Sequence, residues 1–199
     1  MLVRSDIELS PGAGLAAKPS VSSWSFNDWG DRVVQVVQLP LANDRSISLL
    51  HTHLTFPHQN GHDPPMRQKQ AGKLAELINQ LQSEGPLMLF GDLNGDLQDA
   101  AVASLQRSAQ LTPMPDKGSA WVSHVAHTGA PMACDHVFTR GSCKIGSWDL
   151  GYSEEGLLAG TLLSDHRPLH AEVQLLAAVE SCPVACAAPP GQSQQSPAS

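Results

Sequence analysis

The sequence contains no long apolar run and no visible secretory signal. No stretch approaches the roughly 20 apolar residues that a membrane-spanning helix requires. Residues 1–6 also lack the basic stretch and apolar core that typify a secretory signal. We therefore expect a cytoplasmic protein without a membrane span.

Cysteines are few, and their spacing shows no pattern. Cys134, Cys143, Cys182 and Cys186 lack the spacing typical of a metal module or of a disulfide framework. This favours a reducing compartment, in which structural disulfides are rare.

Positive charge is also scarce. The chain has 12 Lys and Arg against 19 Asp and Glu, which gives a formal net charge of −7. A nucleic-acid-binding surface usually carries a basic excess, so a broad surface of this kind is disfavoured, although a small basic patch remains compatible with the balance. A length of 199 residues with 41% hydrophobic residues fits one domain with a sizeable core.

The hydrophobic pattern predicts strands that alternate with helices. Strands are expected over residues 33–39, 46–54, 86–90, 133–138 and 169–175, and helices over residues 66–82 and 97–107. The first two strands are separated by a short turn and should form an antiparallel hairpin. Residues 11–31 are expected to be a loop pinned by aromatic side chains. The predicted domain covers residues 1–176, and the Ala-, Pro-, Ser- and Gln-rich residues 177–199 are predicted to be a disordered tail.

The most informative segment is a buried apolar strand that ends in Gly91-Asp92-Leu93-Asn94. Side chains alternate along an extended chain, so Asp92 and Asn94 should emerge on the same side where the strand ends. A carboxylate and a carboxamide at that position suit catalysis better than packing. Taken alone the motif is weak, because Gly-Asp often only begins a turn.

Four further motifs strengthen this interpretation, and they occur in a fixed order along the chain. They are Thr52-His53-Leu54, Arg67-x-x-Gln70, Asp135-His136-Val137 and Ser164-Asp165-His166-Arg167-Pro168. With Gly91-Asp92-Leu93-Asn94 included, the motifs follow the order that is typical of the endonuclease/exonuclease/phosphatase superfamily, which the sequence resembles. The resemblance covers roughly residues 30–175.

The resemblance implies an α/β (α+β) fold in which two packed, mostly antiparallel sheets are flanked by helices as a four-layer sandwich. It also implies metal-dependent hydrolysis of phosphate esters, by a phosphodiesterase, a nuclease or a phosphatase. The expected cofactor is Mg²⁺ or Mn²⁺. The expected partner is a phosphate-ester substrate, either a nucleic acid or a phosphorylated small molecule.

The resemblance assigns a role to each motif residue. Asp92 would orient or deprotonate the attacking water, and Asn94 would donate a hydrogen bond to a phosphoryl oxygen. His53 and His166 would contact phosphate oxygens, and Asp135 would orient the His166 ring. Asp165 would bind the metal ion, and Arg67 and Gln70 would support the site from behind.

One part of the family pattern is absent. The family's first two strands, which carry a glutamate that is a principal metal ligand, have no counterpart in the sequence, and Glu8 is a poor substitute because no Gln precedes it. We therefore expect an N-terminally truncated domain, either a fragment or a degenerate relative. The alternative function is that of a catalytically impaired or non-catalytic binding domain of the same fold.

The other histidines suggest a competing interpretation. His51 and His53, with His58 and His62, could form a zinc hydrolase site, but Thr55 and Phe56 occupy the places where such a motif has Asp and His. His51 is expected to be a core or supporting residue. No catalytic role is expected for His124, His127 or His136.

Overall fold

The computed structural model describes residues 18–41, 45–58, 60–81, 85–115 and 121–176. Glu8, Cys182, Cys186 and the predicted tail at 177–199 lie outside the described residues. Within the described part of the chain, no helix is both long and apolar enough to cross a membrane.

The described residues form strands and helices that alternate along the chain. The strands are β1 (Ser20–Ser25), β2 (Val33–Pro40), β3 (Ser46–His53), β4 (Leu87–Asp92), β5 (Thr112–Pro113), β6 (His124–Val125), β7 (Pro131–Met132), β8 (Asp135–Arg140), β9 (Cys143–Leu150) and β10 (Leu169–Leu175). The helices are α1 (Asp63–Gln80), α2 (Ala100–Ser108) and α3 (Glu154–Leu158).

The larger sheet has six strands in the order β1-β2-β3-β4-β8-β5. Strands β3 and β4 run parallel, and the other neighbours in this sheet are antiparallel. Strands β9 and β10 pair antiparallel as a second sheet, and β6 pairs with β7. The predicted hairpin is confirmed as β2 and β3, with Val37 opposite Leu49.

The two faces of the larger sheet pack against different layers. Along β4, Leu87 and Leu89 belong to the core shared with α1 and α2. Met88 and Phe90 point the other way and pack on the cluster that holds Trp148 of β9. The predicted fold, two packed and mostly antiparallel sheets flanked by helices, is therefore confirmed.

Local sequence explains where the helices begin and end. Helix α1 buries Leu74 and Ile78 on one face, as the apolar spacing predicts. Helix α2 begins later than the expected residue 97 because Asp99 is its N-cap. The Asp99 side chain accepts hydrogen bonds from the backbone amides of Ala101 (2.8 Å) and Val102 (3.2 Å).

The interpretation of residues 11–31 as a loop is wrong over Ser20–Ser25, which form edge strand β1. Serine is a weak strand former, and only the pairing with β2 makes this segment extended. The expected aromatic anchoring holds for Phe26, which is fully buried and meets Trp24 edge to face at 5.3 Å, but not for Trp29, which is 69% exposed. Strand β9 was not predicted at all.

The packing of α1 predicts the cost of a cavity beneath it. Leu74→Ala removes a fully buried side chain, so we expect the free energy of unfolding to fall by about 2–5 kcal/mol. Glu76→Ala, at an exposed position of the same helix, should change it by less than about 0.5 kcal/mol. Urea denaturation measures both, and equal effects would contradict this packing of the helix.

Candidate active site

Strand pairing brings three of the predicted site residues together. In the parallel pair β3–β4, His53 lies opposite Asp92, and in the antiparallel pair β4–β8, Asp92 lies opposite Asp135. These three residues therefore end up side by side at one edge of the sheet. Asn94 follows two residues after the end of β4.

Gly91 permits the close approach of β3 and β4 at this edge. Its φ of +139° is rarely open to other residues, and an added Cβ would lie 1.9 Å from the backbone oxygen of Thr52. The chain turns again at Asn94, whose φ is +52°. The glycine and the asparagine of the motif are thus required by backbone geometry as well as by chemistry.

Asp92 lies at the centre of the site. Its Oδ1 accepts a hydrogen bond from the Asn94 amide at 2.8 Å, and its Oδ2 lies 3.2 Å from Nε2 of His53. Burial raises the pKa of Asp92, but the hydrogen bonds from His53 and from the Asn94 amide outweigh burial, so the pKa is lower than usual. Asp92 is therefore ionised at neutral pH.

The Asn94 side chain is buried beside the same imidazole. Its Nδ2 donates to the carbonyl oxygen of Leu54 at 2.8 Å and lies 3.0 Å from Nε2 of His53. The hydrogen bond to Leu54 fixes the amide group next to both His53 and Asp92.

His166 approaches Asp92 from the opposite side. Its Nε2 lies 3.8 Å from Oδ2 of Asp92, and its Nδ1 lies 2.9 Å from Oδ2 of Asp135. The hydrogen bond to Asp135 raises the pKa of His166 more than partial burial lowers it. Asp135 is therefore placed to orient the His166 ring.

Asp165 and His124 lie at the outer side of His166. The Asp165 side chain is 70% exposed, and its Oδ2 is 4.0 Å from Nδ1 of His124. The His124 ring stacks on His166 with ring centres 4.1 Å apart, and its Nδ1 lies 3.0 Å from the backbone oxygen of Asp165. His124 therefore contacts a predicted site residue, although sequence reasoning assigned it no part in the site.

Arg67 and Gln70 support the loops that carry the site. The buried Arg67 donates from Nε to the Leu93 oxygen (3.0 Å) and pairs through Nη2 with Asp99 (2.8 Å). Gln70 accepts from the backbone amide of Thr55 at 2.9 Å. The two side chains hold the segments next to Asn94 and His53.

Three other histidines, His51, His127 and His136, lie apart from these site residues. His136 is buried, and its Nε2 lies 2.8 Å from the Gly95 oxygen. Half-buried His51 packs on Phe90, and exposed His127 lies near Phe56. These contacts account for the three residues as packing or surface groups.

Sequence reasoning missed Arg32, which contacts the site directly. Its Nη1 lies 2.8 Å from Nδ1 of His53. No motif contains this arginine, and only the loop between β1 and β2 brings it to the imidazole. The aspartate next to it, Asp31, has a positive φ of 49°, a hint of a tight turn that sequence could not place in space.

Two trios of described residues could hold a metal ion, and both include His166. One trio adds His124 and Asp165, the other adds Asp92 and Cys134, and the ligand atoms of each trio lie within 4.8 Å of one another. Burial raises the pKa of the Cys134 thiol, which makes it a poor ligand at neutral pH. Among the described residues, His51, His58 and His62 belong to neither trio, so the zinc interpretation gains no support.

The donor chemistry at Asp165 fits Mg²⁺ or Mn²⁺. These ions are commonly held by one or two carboxylates, with water and substrate phosphate filling the other positions. The exposed carboxylate of Asp165, next to His166, offers such a ligand at the rim of the site.

Comparisons with known proteins agree with this architecture. The sequence profile of the Endonuclease/Exonuclease/phosphatase family matches residues 10–166. No protein of curated function matches the chain in sequence.

Solved structures share the fold at low identity. Humanised TDP2 of D. rerio gives a TM-score of 0.62 at 16% identity, covering 78% of this chain and 66% of that one. The human Nocturnin catalytic domain with bound sulfate gives 0.60 at 15%, covering 84% and 62%. The mannosyl-6-phosphatase of Bacteroides thetaiotaomicron gives 0.57 at 12%, covering 83% and 68%.

The chain thus spans about two thirds or less of the first two of these proteins. The structural likeness supports the fold, and the family match extends over most of the sequence. The chain belongs to the endonuclease/exonuclease/phosphatase family.

Proposed function

We propose that this protein hydrolyses phosphate esters with the aid of a divalent metal ion, using a water molecule positioned by Asp92. One observation carries the proposal: Oδ2 of Asp92 lies 3.2 Å from His53 Nε2 and 3.8 Å from His166 Nε2. A carboxylate flanked by two imidazoles can hold both a nucleophile and a phosphoryl group. Family members are phosphoesterases that generally use divalent metals, which supports the reaction class.

Asp92 would act on the attacking water. Hydrolysis of a phosphate ester needs a nucleophilic water aligned with the phosphorus and stabilisation of the equatorial oxygens. A carboxylate with a lowered pKa is a weak base, so its main contribution is to orient the water and to accept its proton as the new bond forms.

His166 and Asn94 would stabilise the phosphoryl group. The raised pKa of His166 favours the imidazolium, which donates a charge-assisted hydrogen bond to a phosphoryl oxygen. The Asn94 amide nitrogen carries two hydrogens, one of which is directed to the Leu54 oxygen. Its second hydrogen is available to a bound phosphoryl oxygen and adds no charge there.

Asp165 would hold the metal ion. When bound, Mg²⁺ or Mn²⁺ would neutralise charge that develops on the phosphoryl and leaving-group oxygens. The exposure of Asp165, of His53 (46%) and of His166 (32%) supports an open site to which a substrate has direct access.

The net charge of the chain narrows the class of substrate. A net charge of −7 opposes the binding of long polyanions, so a phosphorylated small molecule or a short nucleic-acid segment is the favoured substrate. The relative rates on p-nitrophenyl phosphate and bis-p-nitrophenyl phosphate separate a phosphatase from a diesterase.

Removal of the central carboxylate tests the proposed reaction. Asp92→Asn should lower kcat on the preferred p-nitrophenyl ester by about 10²–10⁴-fold, because the water loses its acceptor. Asp149→Asn, at an exposed position on β9, should leave kcat unchanged. Full activity in a folded Asp92→Asn variant would refute this role, and an inactive wild-type protein would favour a non-catalytic binding domain.

The affinity for Mn²⁺ tests the proposal that Asp165 binds the metal ion. Asp165→Asn should raise the dissociation constant for Mn²⁺, measured by electron paramagnetic resonance, at least about tenfold, since the exposed site loses its carboxylate. Asp149→Asn again serves as the matched control. Unchanged Mn²⁺ affinity in Asp165→Asn would place the ion elsewhere.

The pair of His166 and Asp135 predicts a pH dependence of stability. The folded pKa of His166 is raised above its usual 6.5, so the pair stabilises the fold fully below that value and less as the pH rises through the folded pKa. The difference in unfolding free energy between wild type and Asp135→Asn should therefore be larger at about pH 5.5 than at about pH 8. Urea titrations in EDTA measure it, and a difference that grows with pH would contradict the pairing.

A further inference from the structure

The guanidinium of Arg32 contacts the imidazole of His53. Its Nη1 lies 2.8 Å from Nδ1 of His53. A guanidinium group has only donors, so Nδ1 must accept this hydrogen bond. The proton of the neutral imidazole is therefore on Nε2, where it can be donated to Oδ2 of Asp92 at 3.2 Å.

The other tautomer of His53 also has a partner available. Nδ2 of Asn94 lies 3.0 Å from Nε2 of His53 and could donate to it if Nε2 were unprotonated. Asp92 would then face a lone pair instead of a donor, and its Oδ2 would lose the hydrogen bond from His53. Asn94 and Arg32 thus favour opposite tautomers, and the charged donor forms the stronger hydrogen bond.

The loop that carries Arg32 is anchored on both sides. The Phe26 amide donates to the Arg32 oxygen at 3.1 Å, which closes the loop. Asp28 accepts from the Gly30 amide at 3.1 Å and from Nε2 of Gln70 at 2.8 Å. Gln70 therefore ties the Arg32 loop to helix α1, while its Oε1 holds the segment that follows His53.

The two histidines beside Asp92 consequently have partners of opposite charge. His166 is oriented by a carboxylate, Asp135, whereas His53 is oriented by a guanidinium. The hydrogen bond from the guanidinium to Nδ1 leaves Nε2 as the donor of the ring. This difference separates the roles of two side chains that the motifs alone do not distinguish.

We propose that Arg32 is a positioning residue that holds His53 in the Nε2–H tautomer and thereby orients Asp92. The expected effect of Arg32 on turnover rests on the proposed phosphoesterase function. The expected effect of Arg32 on the tautomer of His53 does not, and that effect can be measured without substrate.

Nitrogen-15 NMR of the histidine rings tests the tautomer. In the wild-type protein at a pH where His53 is neutral, Nδ1 should show the shift of an unprotonated ring nitrogen. In Arg32→Met, the Nδ1 signal should move toward the shift of a protonated ring nitrogen. The reason is that Asn94, which favours the Nδ1–H tautomer, is then no longer opposed by Arg32. Arg45→Met, whose guanidinium contacts the Leu176 oxygen instead, should leave the His53 signals unchanged. A protonated Nδ1 in the wild type, or no change in Arg32→Met, would overturn the proposal.

Chemical rescue tests the effect on turnover. Arg32→Met should lower kcat by about 10–100-fold, the size typical of a partner that orients a functional imidazole, with a smaller change in KM. Rescue is measured in Arg32→Ala, which vacates the place of the guanidinium beside a cavity of about 350 Å³ lined by Arg32 and His53, and added guanidinium at low millimolar concentration should restore part of kcat there. A purely structural loss would give no rescue, and that result would count against positioning.

The two experiments also separate this inference from the proposed function. A protein without esterase activity but with the expected tautomer change would refute the function and retain the role of Arg32. An active enzyme whose wild-type His53 carries its proton on Nδ1 would refute the role of Arg32 alone.

Discussion

The site depends on one interaction, the shared contact of the Asp92 carboxylate with two imidazoles. Oδ2 of Asp92 lies between His53 and His166, and Oδ1 is held by the Asn94 amide. This arrangement requires the ends of β3 and β4 to lie side by side. Gly91 makes that possible, since any Cβ at this position would collide with the Thr52 oxygen.

Buried polar groups on α1 connect this centre to the rest of the fold. Arg67 is 3% exposed, and a buried guanidinium is costly unless it is paired. It binds the Leu93 oxygen and Asp99, while a Cβ at Gly95 would lie 2.2 Å from its Nη2. The helix cap, the glycine and the arginine thus form one unit that fixes the turn after Asp92. Gln70 fixes the neighbouring loops in the same way.

Much of the fold could be predicted from the sequence, because apolar periodicity and motif order are local signals. The strand at 169–175 was predicted with its observed bounds, and the central strand before Asp92 lies within about two residues of its expected limits. Strand β1 could not be predicted, since its serines become extended only through pairing with β2. The same applies to Arg32 and His124, whose importance comes from contacts with His53 and His166 across the fold. The family resemblance identifies site residues within the motifs, and Arg32 and His124 lie outside those motifs.

The central claim is that water positioned by Asp92 attacks the phosphorus of a phosphate ester directly. Hydrolysis of p-nitrophenyl phosphate or its diester in ¹⁸O-labelled water, followed by mass spectrometry of the products, tests it most directly. The account predicts one solvent oxygen in the released phosphate or phosphomonoester and none in p-nitrophenol. Labelled p-nitrophenol, or no product from a folded protein supplied with Mg²⁺ or Mn²⁺, would contradict it.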